Sequence, residues 1–394
     1  MNRSVGWEPE GNVAFCPCRR PSRSLTDARW AGRRARLSSP FPLLPFVKKF
    51  LQTIAAGKDL TREEARAAMR RMMRGDAEPE HVAGLLLGLR ARGESLDELV
   101  GFTEVMREFA VSVDPGAPDA IDLCGTGGDD AGTFNISTAA ALVAAGAGAT
   151  VAKHGNRSVS SDCGSADVLE ALGVKIDLEK DGVEHCLQEV GIAFLFAPHF
   201  HPAMRHVMPV RRALGVRTFF NVLGPLCNPA GVKRQLVGAF SASVAQQMMR
   251  ILAETGSRHV CAVHSRDGLD EVSLSAPTAL FEHDTARRDA DEPATQNGRV
   301  IQPEVHGVRP AELDALQGGD KETNARILES ILDGSEEGAP RDVVLLNAAY
   351  ALHVSGRFDG LEECTEAARE SIASGAALEK LQRLGEASHS FAKE

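Results

Sequence analysis

The chain has 394 residues, 43% of them hydrophobic and 25% charged, so it is long enough for more than one globular domain. Its formal net charge of -10 argues against a nucleic-acid binder, because such proteins need a basic surface. No apolar run approaches the roughly 20 residues of a membrane span. Of the eight cysteines only Cys16 and Cys18 are close together, and no second cysteine pair completes a zinc motif with them. This pattern favours reduced thiols in a cytoplasmic enzyme.

Residues 1–45 differ from the rest of the chain, because they are rich in Arg, Ser and Pro and lack helical periodicity. A cleaved targeting peptide is one interpretation. The acidic residues Glu8, Glu10 and Asp27 weaken it. A disordered extension, or an upstream start codon wrongly chosen, is the favoured interpretation, and the extension is left out of the fold.

Residues 46–113 predict a helical domain. Thr61 and Glu64 form a capping-box pattern at the start of one helix. Apolar residues at helical spacing predict a second helix over 79–92 and a third over 95–110. The apolar stripes of these helices have two interpretations, a core within the chain or an interface between subunits.

From residue 114 to the C-terminus the pattern changes to strands alternating with helices, which predicts an α/β domain with a mainly parallel central sheet. In such sheets ligands bind at the carboxyl ends of the strands. Residues 199–214 are helical in pattern and predict a return to the helical domain, whereas 284–297 lack an apolar face and predict a mobile loop. The predicted strands cover 120–124, 149–152, 192–196, 235–240 and 259–263, and the predicted helices cover 137–146, 165–172 and 244–254.

Three polar turns follow the predicted strands. The glycines of Gly125–Asp129 allow backbone N–H groups to converge on an anion, although a plain turn would have the same composition. Asn135–Thr138 either caps the following helix or binds an anion at its positive end. Lys153–Ser161 carries two cations, an imidazole, an amide and three hydroxyls, a density of donors that favours a polyphosphate ligand.

Two adjacent acids, Asp270 and Glu271, follow the last of these strands. Adjacent acids in a turn are usually solvated. The functional alternative is a Mg²⁺ site, because Mg²⁺ prefers hard oxygen ligands and accompanies phosphorylated substrates. No catalytic triad pattern accompanies these acids, which favours chemistry driven by stabilisation of a leaving group.

The motifs GTGGD (125–129), KHGNR (153–157), GSADVLEALG (164–173), VRRALGVRTFFNVLGPLCNPA (210–230) and GLDEVSLSAPT (268–278) resemble the anthranilate phosphoribosyltransferase family in order and spacing. The resemblance runs from about Phe46 to the C-terminus. It implies a small N-terminal helical domain, a large α/β domain and a fold shared with pyrimidine nucleoside phosphorylases. It also implies a homodimer through the helical domain and a Mg²⁺-dependent phosphoribosyl transfer to anthranilate in tryptophan synthesis.

The resemblance also assigns site residues. Anthranilate is expected at Gly125, Asn156 and Arg211, and Mg²⁺ at Ser137, Asp270 and Glu271. Asp162 and Ser265 depart from the family pattern. Phosphoribosyl diphosphate is expected at Gly125, Gly128, Asp129, Thr133, Asn135, Ile136, Ser137, Thr138, Lys153, His154, Gly155, Asn156, Arg157, Ser158, Val159, Ser160, Ser161 and Ser165.

Other functions on the same fold are less consistent with the sequence. A nucleoside phosphorylase would not need Asn156 together with Arg211, and the acidic charge opposes a nucleic-acid-binding paralogue. The N-terminal extension is too short to be a fused glutamine amidotransferase domain. Such an amidotransferase, or an anthranilate synthase partner, would be a separate chain.

Overall fold

The computed structural model describes residues 45–128, 131–158, 163–286 and 298–391, so the predicted N-terminal extension lies outside the described residues. The described residues form fifteen α-helices and one seven-stranded sheet. The strands are β1 Ile121–Gly125, β2 Val151–Gly155, β3 Ile192–Phe196, β4 Arg234–Gly238, β5 His259–Ser265, β6 Thr278–Asp284 and β7 Arg299–Ile301.

The helices alternate with these strands and extend beyond them at both ends of the described chain. They are α1 Pro45–Ala55, α2 Arg62–Arg74, α3 Pro79–Arg92, α4 Leu96–Glu108, α5 Ile136–Gly146, α6 Ser165–Ala171, α7 Lys180–Val190, α8 Ala197–Phe200, α9 Met208–Leu214, α10 Phe220–Leu223, α11 Ala242–Glu254, α12 Lys321–Leu332, α13 Ala339–Ser355, α14 Leu361–Ala373 and α15 Ala376–Ser390. Short 3₁₀ segments cover Pro202–His206, Gly224–Leu226, Pro303–His306 and Leu313–Leu316.

A buried glutamate ties the first helices together. The capping box predicted at Thr61 is confirmed, and Ser95 begins α4 with a second one. The N3 residue of that second box, Glu98, is fully buried. Its carboxylate accepts hydrogen bonds from the backbone N–H groups of Leu60 (2.7 Å) and Ser95 (2.8 Å) and pairs with Arg92. One side chain therefore fixes the α1–α2 loop, the end of α3 and the start of α4.

The apolar stripe of α3 lies inside the chain. Its four large apolar residues are each at most 2% exposed: Val82, Leu85, Leu86 and Leu89. They pack in one core with residues of α1, α2, α4 and α11. The intramolecular interpretation of this stripe therefore holds, and a subunit interface would need other residues of the helices.

The predicted segment 199–214 is not one helix but α8, a 3₁₀ turn and α9. Pro202 and the prolines at the start of the short helices interrupt it. The 3₁₀ turn packs against α2, where a Cβ on Gly75 would lie 2.6 Å from Nδ1 of His206. Helix α9 packs against α3. The segment thus contacts the N-terminal helices.

The sheet order is β3-β2-β1-β4-β5-β6-β7, with parallel pairing from β3 to β5 and antiparallel pairing of β5–β6 and β6–β7. The prediction of a mainly parallel sheet is confirmed. The sequence prediction missed β6 and β7. Strand β6 includes Asp284, so the loop predicted at 284–297 begins later, and residues 287–297 lie outside the described residues.

Parallel pairing places the ends of β1, β2 and β4 at one edge of the sheet, and the three polar turns follow this edge or begin α5 beside it. Within the part of the chain that the structure describes, no helix is long and apolar enough to cross a membrane. None of the described cysteines is in a disulfide.

Candidate active site

Asp270 lies over the carboxyl ends of two neighbouring strands. A Cβ on Gly125, the last residue of β1, would lie 2.4 Å from Oδ2 of Asp270. A Cβ on Gly238, the paired residue of β4, would lie 1.6 Å from the Asp270 carbonyl oxygen. Only glycine permits this approach at either position. Asp270 is 8% exposed, so the interpretation of this acid as a solvated turn residue is wrong.

The glycine turn after β1 is held from both sides. The backbone N–H of Gly127 donates to Oδ2 of Asp270 at 2.8 Å, and Nη2 of Arg217 donates to the carbonyl of Gly128 at 2.7 Å. The Arg217 guanidinium also lies 4.7 Å from the centre of the Phe240 ring. Sequence reasoning missed Arg217, although it stands within the VRRALGVRTFF motif. Asp129, predicted to bind the substrate, lies outside the described residues.

Asn135 precedes α5 but does not cap it with its side chain, so the capping interpretation is wrong for this residue. Its Nδ2 donates to the carbonyl of Cys163 at 3.1 Å, and its Oδ1 accepts from Nδ2 of Asn324 at 3.1 Å. Asn135 therefore ties the N-terminus of α5 to the segment before α6 and to α12. The first turn of α5 therefore has no side-chain cap, and the N–H groups of Ile136 and Thr138 donate instead to the carbonyls of Phe134 (2.8 Å) and Asn135 (3.1 Å).

Side chains around the α5 N-terminus divide between the interior and the site. Ile136 and Thr138 are each 1% exposed, so their side chains belong to the core. Thr138 Oγ1 has no hydrogen-bond partner among the described residues. Ser137 Oγ instead accepts a hydrogen bond of 3.3 Å from Nζ of Lys153. Thr133 forms an isolated bridge with Gln317.

Lys153 is a buried cation next to α5. It is 3% exposed, and its Nζ also donates to the carbonyl of Leu123 at 2.7 Å. Burial lowers the pKa of Lys153, while Asp122, Glu271 and Asp270 oppose the shift. The ammonium has three donors, of which two are directed to these oxygens. A cation held in this way is suited to an anionic ligand.

Asp122 was not predicted, although a lone acid inside the apolar β1 strand is a readable signal. It is fully buried, and its Oδ1 accepts from the backbone N–H of His154 at 3.0 Å. Burial raises the pKa of Asp122, and its hydrogen bonds together with Lys153 oppose the shift. The carboxylate thus joins β1 to β2 and faces the Lys153 charge.

The third turn folds back against α6. A Cβ on Gly155 would lie 2.5 Å from Oγ of Ser165, and Ser165 donates to the Asn156 carbonyl at 3.3 Å. Arg157 pairs with two acids of α6, Asp167 at 2.7 Å and Glu170 at 2.6 Å.

Asp167 holds the end of this turn as well. The backbone N–H of Ser158 donates to Asp167 Oδ2 at 3.3 Å. Val159, Ser160, Ser161 and Asp162 lie outside the described residues. The described part of the predicted run is therefore Lys153–Ser158, which folds against α6.

Arg211 lies on α9, next to the short helix α10. Its guanidinium lies 5.1 Å from the Phe220 ring centre, and Nη1 donates to the Met208 sulfur at 3.6 Å. Arg211 is half-buried, and burial lowers the pKa of its guanidinium. The described residues provide no carboxylate partner for Arg211. A desolvated guanidinium in this state is suited to a carboxylate ligand.

Two histidine rings lie near the carboxyl end of β2. The rings of His154 and His201 are 5.2 Å apart, and neither Nε2 has a hydrogen-bond partner among the described residues. Burial lowers the pKa of His154 well below its usual range and that of His201 to about 4. Both imidazoles are therefore neutral near pH 7.

Comparisons with known proteins agree with this arrangement. Two family models match, the helical bundle domain of a glycosyl transferase family over residues 48–110 and the a/b domain of that family over 117–378. The anthranilate phosphoribosyltransferase of Salinibacter ruber is 65% identical over 86% of this chain and 97% of its own length. The chain belongs to the anthranilate phosphoribosyltransferase family.

Solved structures of the anthranilate phosphoribosyltransferase family share the fold. The enzyme from Thermus thermophilus is 40% identical, with a TM-score of 0.79 over 86% of this chain and 99% of that one. The enzyme from Saccharomyces cerevisiae in complex with PRPP (phosphoribosyl diphosphate) and Mg is 27% identical, with a TM-score of 0.78 over 88% of this chain and 98% of that one. The predicted family and fold class are confirmed, and the chain is an enzyme of a glycosyltransferase family.

The residues of this family member also fit a magnesium ion. The buried carboxylate of Asp270 and the Ser137 hydroxyl are hard oxygen donors at one edge of the sheet, and Glu271 adjoins Asp270 in the chain. Such donors match the preference of Mg²⁺ for oxygen ligands and phosphate-bearing substrates.

Proposed function

We propose that this chain transfers the phosphoribosyl group of 5-phospho-α-D-ribose 1-diphosphate to anthranilate. The products are N-(5-phosphoribosyl)anthranilate and diphosphate, in the second step of L-tryptophan biosynthesis from chorismate. The observation that carries the proposal is the packing of the Asp270 carboxylate against Gly125 and Gly127. Its charge also acts on Lys153, whose ammonium donates to Ser137 at the N-terminus of α5. The groups proposed to bind phosphate, a metal ion and ribose therefore lie together at the carboxyl ends of the strands.

Phosphoribosyl diphosphate would bind at the three turns. The N–H groups of Thr126 and Gly127 already donate to Gly238 and Asp270, so the end of the Gly125–Asp129 turn and the α5 N-terminus would supply the backbone donors to its oxygens. Lys153 would supply a buried positive charge. Ile136 and Thr138 would line the site through their backbone only, since both side chains are buried and both N–H groups already donate to the carbonyls of Phe134 and Asn135. The remaining predicted contacts are Thr133, Asn135, Ser137, His154, Gly155, Asn156, Arg157, Ser158, Val159, Ser160, Ser161 and Ser165.

Ser137, Asp270 and Glu271 would hold Mg²⁺. When bound, the ion neutralises charge that develops on the diphosphate leaving group. The chain itself holds Asp270 in position through the Gly127 N–H and the absence of a side chain at Gly125.

Anthranilate would be bound through its carboxylate by Arg211. The guanidinium is partly desolvated by Phe220 and Met208 and can form a two-pronged pair with a carboxylate. Asn156 and Gly125 would position the second substrate next to the first. His154 and His201 would remain neutral neighbours without a proton-transfer role.

The reaction would proceed as a displacement at the anomeric carbon of the ribose. The bond from the anomeric carbon to the diphosphate oxygen breaks as the turn donors stabilise that oxygen, and positive charge develops on the ribose ring. The lone pair of the aromatic amine forms the new C–N bond, and the nitrogen then releases one proton to solvent. The chain contributes positioning of the two substrates and fixed charges.

A fluorescence assay tests this function. The purified chain with Mg²⁺ and phosphoribosyl diphosphate should consume anthranilate, and the fluorescence of anthranilate should fall. The decrease should require both the metal and the phosphoribosyl donor. Stable anthranilate fluorescence with folded protein and all three components would contradict the proposal.

A homodimer through the helices α1–α4 is also proposed. Leu87 on α3 supports it, because this residue is 44% exposed while the valine and the other leucines of the helix are buried. Sedimentation of the wild type and of Leu87→Glu tests it, and a monomeric wild type would contradict it.

A separate amidotransferase or anthranilate synthase chain and a cytoplasmic location remain predictions.

A further inference from the structure

A second cluster of reactive side chains lies away from the carboxyl edge of the sheet. His259 and Cys261 lie two residues apart at the start of β5, so their side chains project from the same face of the sheet. Glu282 of β6 pairs directly with Cys261, which places it on that face as well. His353, in the last turn of α13, covers the group. Four side chains from three elements therefore converge.

The distances within the cluster are short. Oε1 of Glu282 lies 2.9 Å from Nε2 of His259 and 2.8 Å from Nε2 of His353. The ligand atoms of all four residues, including the Cys261 sulfur, lie within 4.8 Å of one another. The side chains of His259 and Glu282 are each 5% exposed and that of His353 is 11% exposed, while Cys261 is fully buried.

This geometry matches a tetrahedral metal site. Zinc binds thiolate sulfur at about 2.3 Å and imidazole nitrogen or carboxylate oxygen at about 2.0–2.2 Å, which separates ligand atoms by about 3–4 Å. The two N···O separations of 2.8 and 2.9 Å are just below that range, and no pair of ligand atoms is more than 4.8 Å apart, so small side-chain rotations would bring the four atoms into it.

The surroundings orient one ligand. Arg299 at the start of β7 donates to Oε2 of Glu282, the oxygen that the histidines do not contact. This leaves Oε1 directed toward the histidines, as an outer hydrogen bond does for a ligating carboxylate. The ring of Tyr350, one turn before His353 on α13, lies 6.5 Å from the His353 ring.

We propose that His259, Cys261, Glu282 and His353 form a structural Zn²⁺ site that fastens the antiparallel strands β5 and β6 to α13. Four protein ligands close the coordination shell, which distinguishes a structural zinc site from a catalytic one. The mixed sulfur, nitrogen and oxygen set selects zinc over Mg²⁺, which binds through oxygen. The site is thus separate in place and chemistry from the proposed magnesium site at Asp270.

Metal content is the first test. The chain is purified without a metal-affinity tag, loaded with Zn²⁺ and dialysed, and zinc is measured by mass spectrometry. About one zinc per chain is expected. Cys261→Ser and His353→Gln should lose it, whereas Cys364→Ser, which removes a buried cysteine of α14, should retain it. Zinc retained equally by Cys261→Ser and wild type would overturn the proposal.

Cobalt substitution gives a second readout that does not depend on a variant folding. Co²⁺ in the wild type should give a thiolate-to-metal charge-transfer band and the intense visible bands of tetrahedral cobalt. Added Zn²⁺ should abolish both and should raise the Tm, and added Mg²⁺ should do neither. Wild-type protein with substoichiometric zinc and no charge-transfer band would show that the cluster is a hydrogen-bonded network only.

Discussion

The carboxylate of Asp270 accepts a hydrogen bond of 2.8 Å from the backbone N–H of Gly127, a residue 143 positions earlier in the chain. The same oxygen, Oδ2, lies 2.4 Å from the place that a Cβ on Gly125 would take. Asp270, the proposed metal ligand, and the glycine turn are therefore one packed unit. A change in the turn must move the acid.

Gly125→Ala should consequently impair the enzyme without preventing folding. The added methyl group pushes the Asp270 carboxylate away from the turn, and a displacement of about 1 Å in a catalytic site lowers the rate by about a hundredfold. We expect kcat/KM for phosphoribosyl diphosphate to fall by about this factor, with a higher Mg²⁺ requirement. Steady-state kinetics over a Mg²⁺ series measures both.

Gly224→Ala is the matched control for this variant. A Cβ on Gly224 meets no atom within 4 Å, and the backbone there is right-handed helical. This variant should keep wild-type kinetics. Equal kinetics in Gly125→Ala and Gly224→Ala would show that Asp270 does not depend on the glycine.

Arg211→Ala should raise the KM for anthranilate far more than the KM for phosphoribosyl diphosphate. The guanidinium has no carboxylate partner among the described residues, so the substrate carboxylate is its proposed partner. Loss of a charged hydrogen-bonded contact of about 2–3 kcal/mol corresponds to a rise of about 30- to 150-fold. Arg211→Lys should recover only part of this loss, because an ammonium lacks the planar fork.

Arg212→Ala tests whether any arginine of α9 would have the same effect. Arg212 is exposed on the helix next to Arg211. Its replacement should leave both Michaelis constants unchanged. Equal increases in the two constants on loss of Arg211 would indicate that Arg211 is structural.

Glu98→Gln should destabilise the helical region. The fully buried carboxylate accepts from the backbone N–H groups of Leu60 and Ser95 and pairs with Arg92. Breaking a buried ion pair lowers the free energy of unfolding by about 3–5 kcal/mol. Denaturant unfolding measures it, with Glu63→Gln as the control. Glu63 is 77% exposed in its pair with Arg66, so its loss should change stability by less than about 1 kcal/mol.

Local patterns predicted much of the fold because their causes are local. The capping box at Thr61 and the parallel strands of the sheet depend on nearby residues and on short apolar runs. Strand β6 was missed because its sequence contains Glu282 and His283, whose burial depends on partners elsewhere in the chain. Polar residues in a strand hide the apolar pattern on which the prediction relies.

The residues of the candidate site also fall into those that local sequence predicts and those that depend on tertiary packing. Its turns were readable from composition, whereas Arg217 and Asp122 were missed because their partners are set by tertiary packing. Arg217 contacts Gly128 across 89 positions, and Asp122 contacts His154 across 32. The capping role offered for Asn135 was wrong for the same reason, since Asn324 and Cys163 take its hydrogen bonds.

His201 should make the stability of the substrate-free protein depend on pH. Burial lowers its pKa from 6.5 to about 4, so the unfolded chain binds the proton first as the pH falls. Stability is therefore retained above about pH 6.5 and is lost as the pH falls toward 4. Between pH 7 and pH 5 this histidine alone should lower the free energy of unfolding by about 2 kcal/mol.

Urea unfolding at the two pH values measures this loss, and His201→Gln should show a smaller loss than the wild type. Any effect of the substitution on stability that does not depend on pH cancels, because the free energy of unfolding at pH 5 is compared with that at pH 7 for the same protein. His154 lies 5.2 Å from His201 and has a pKa lowered in the same direction, so part of the dependence should remain. His199→Gln replaces the exposed histidine of α8 and should follow the wild type. If the wild type and His201→Gln lose stability equally, His201 accepts its proton in the folded state and burial does not suppress it.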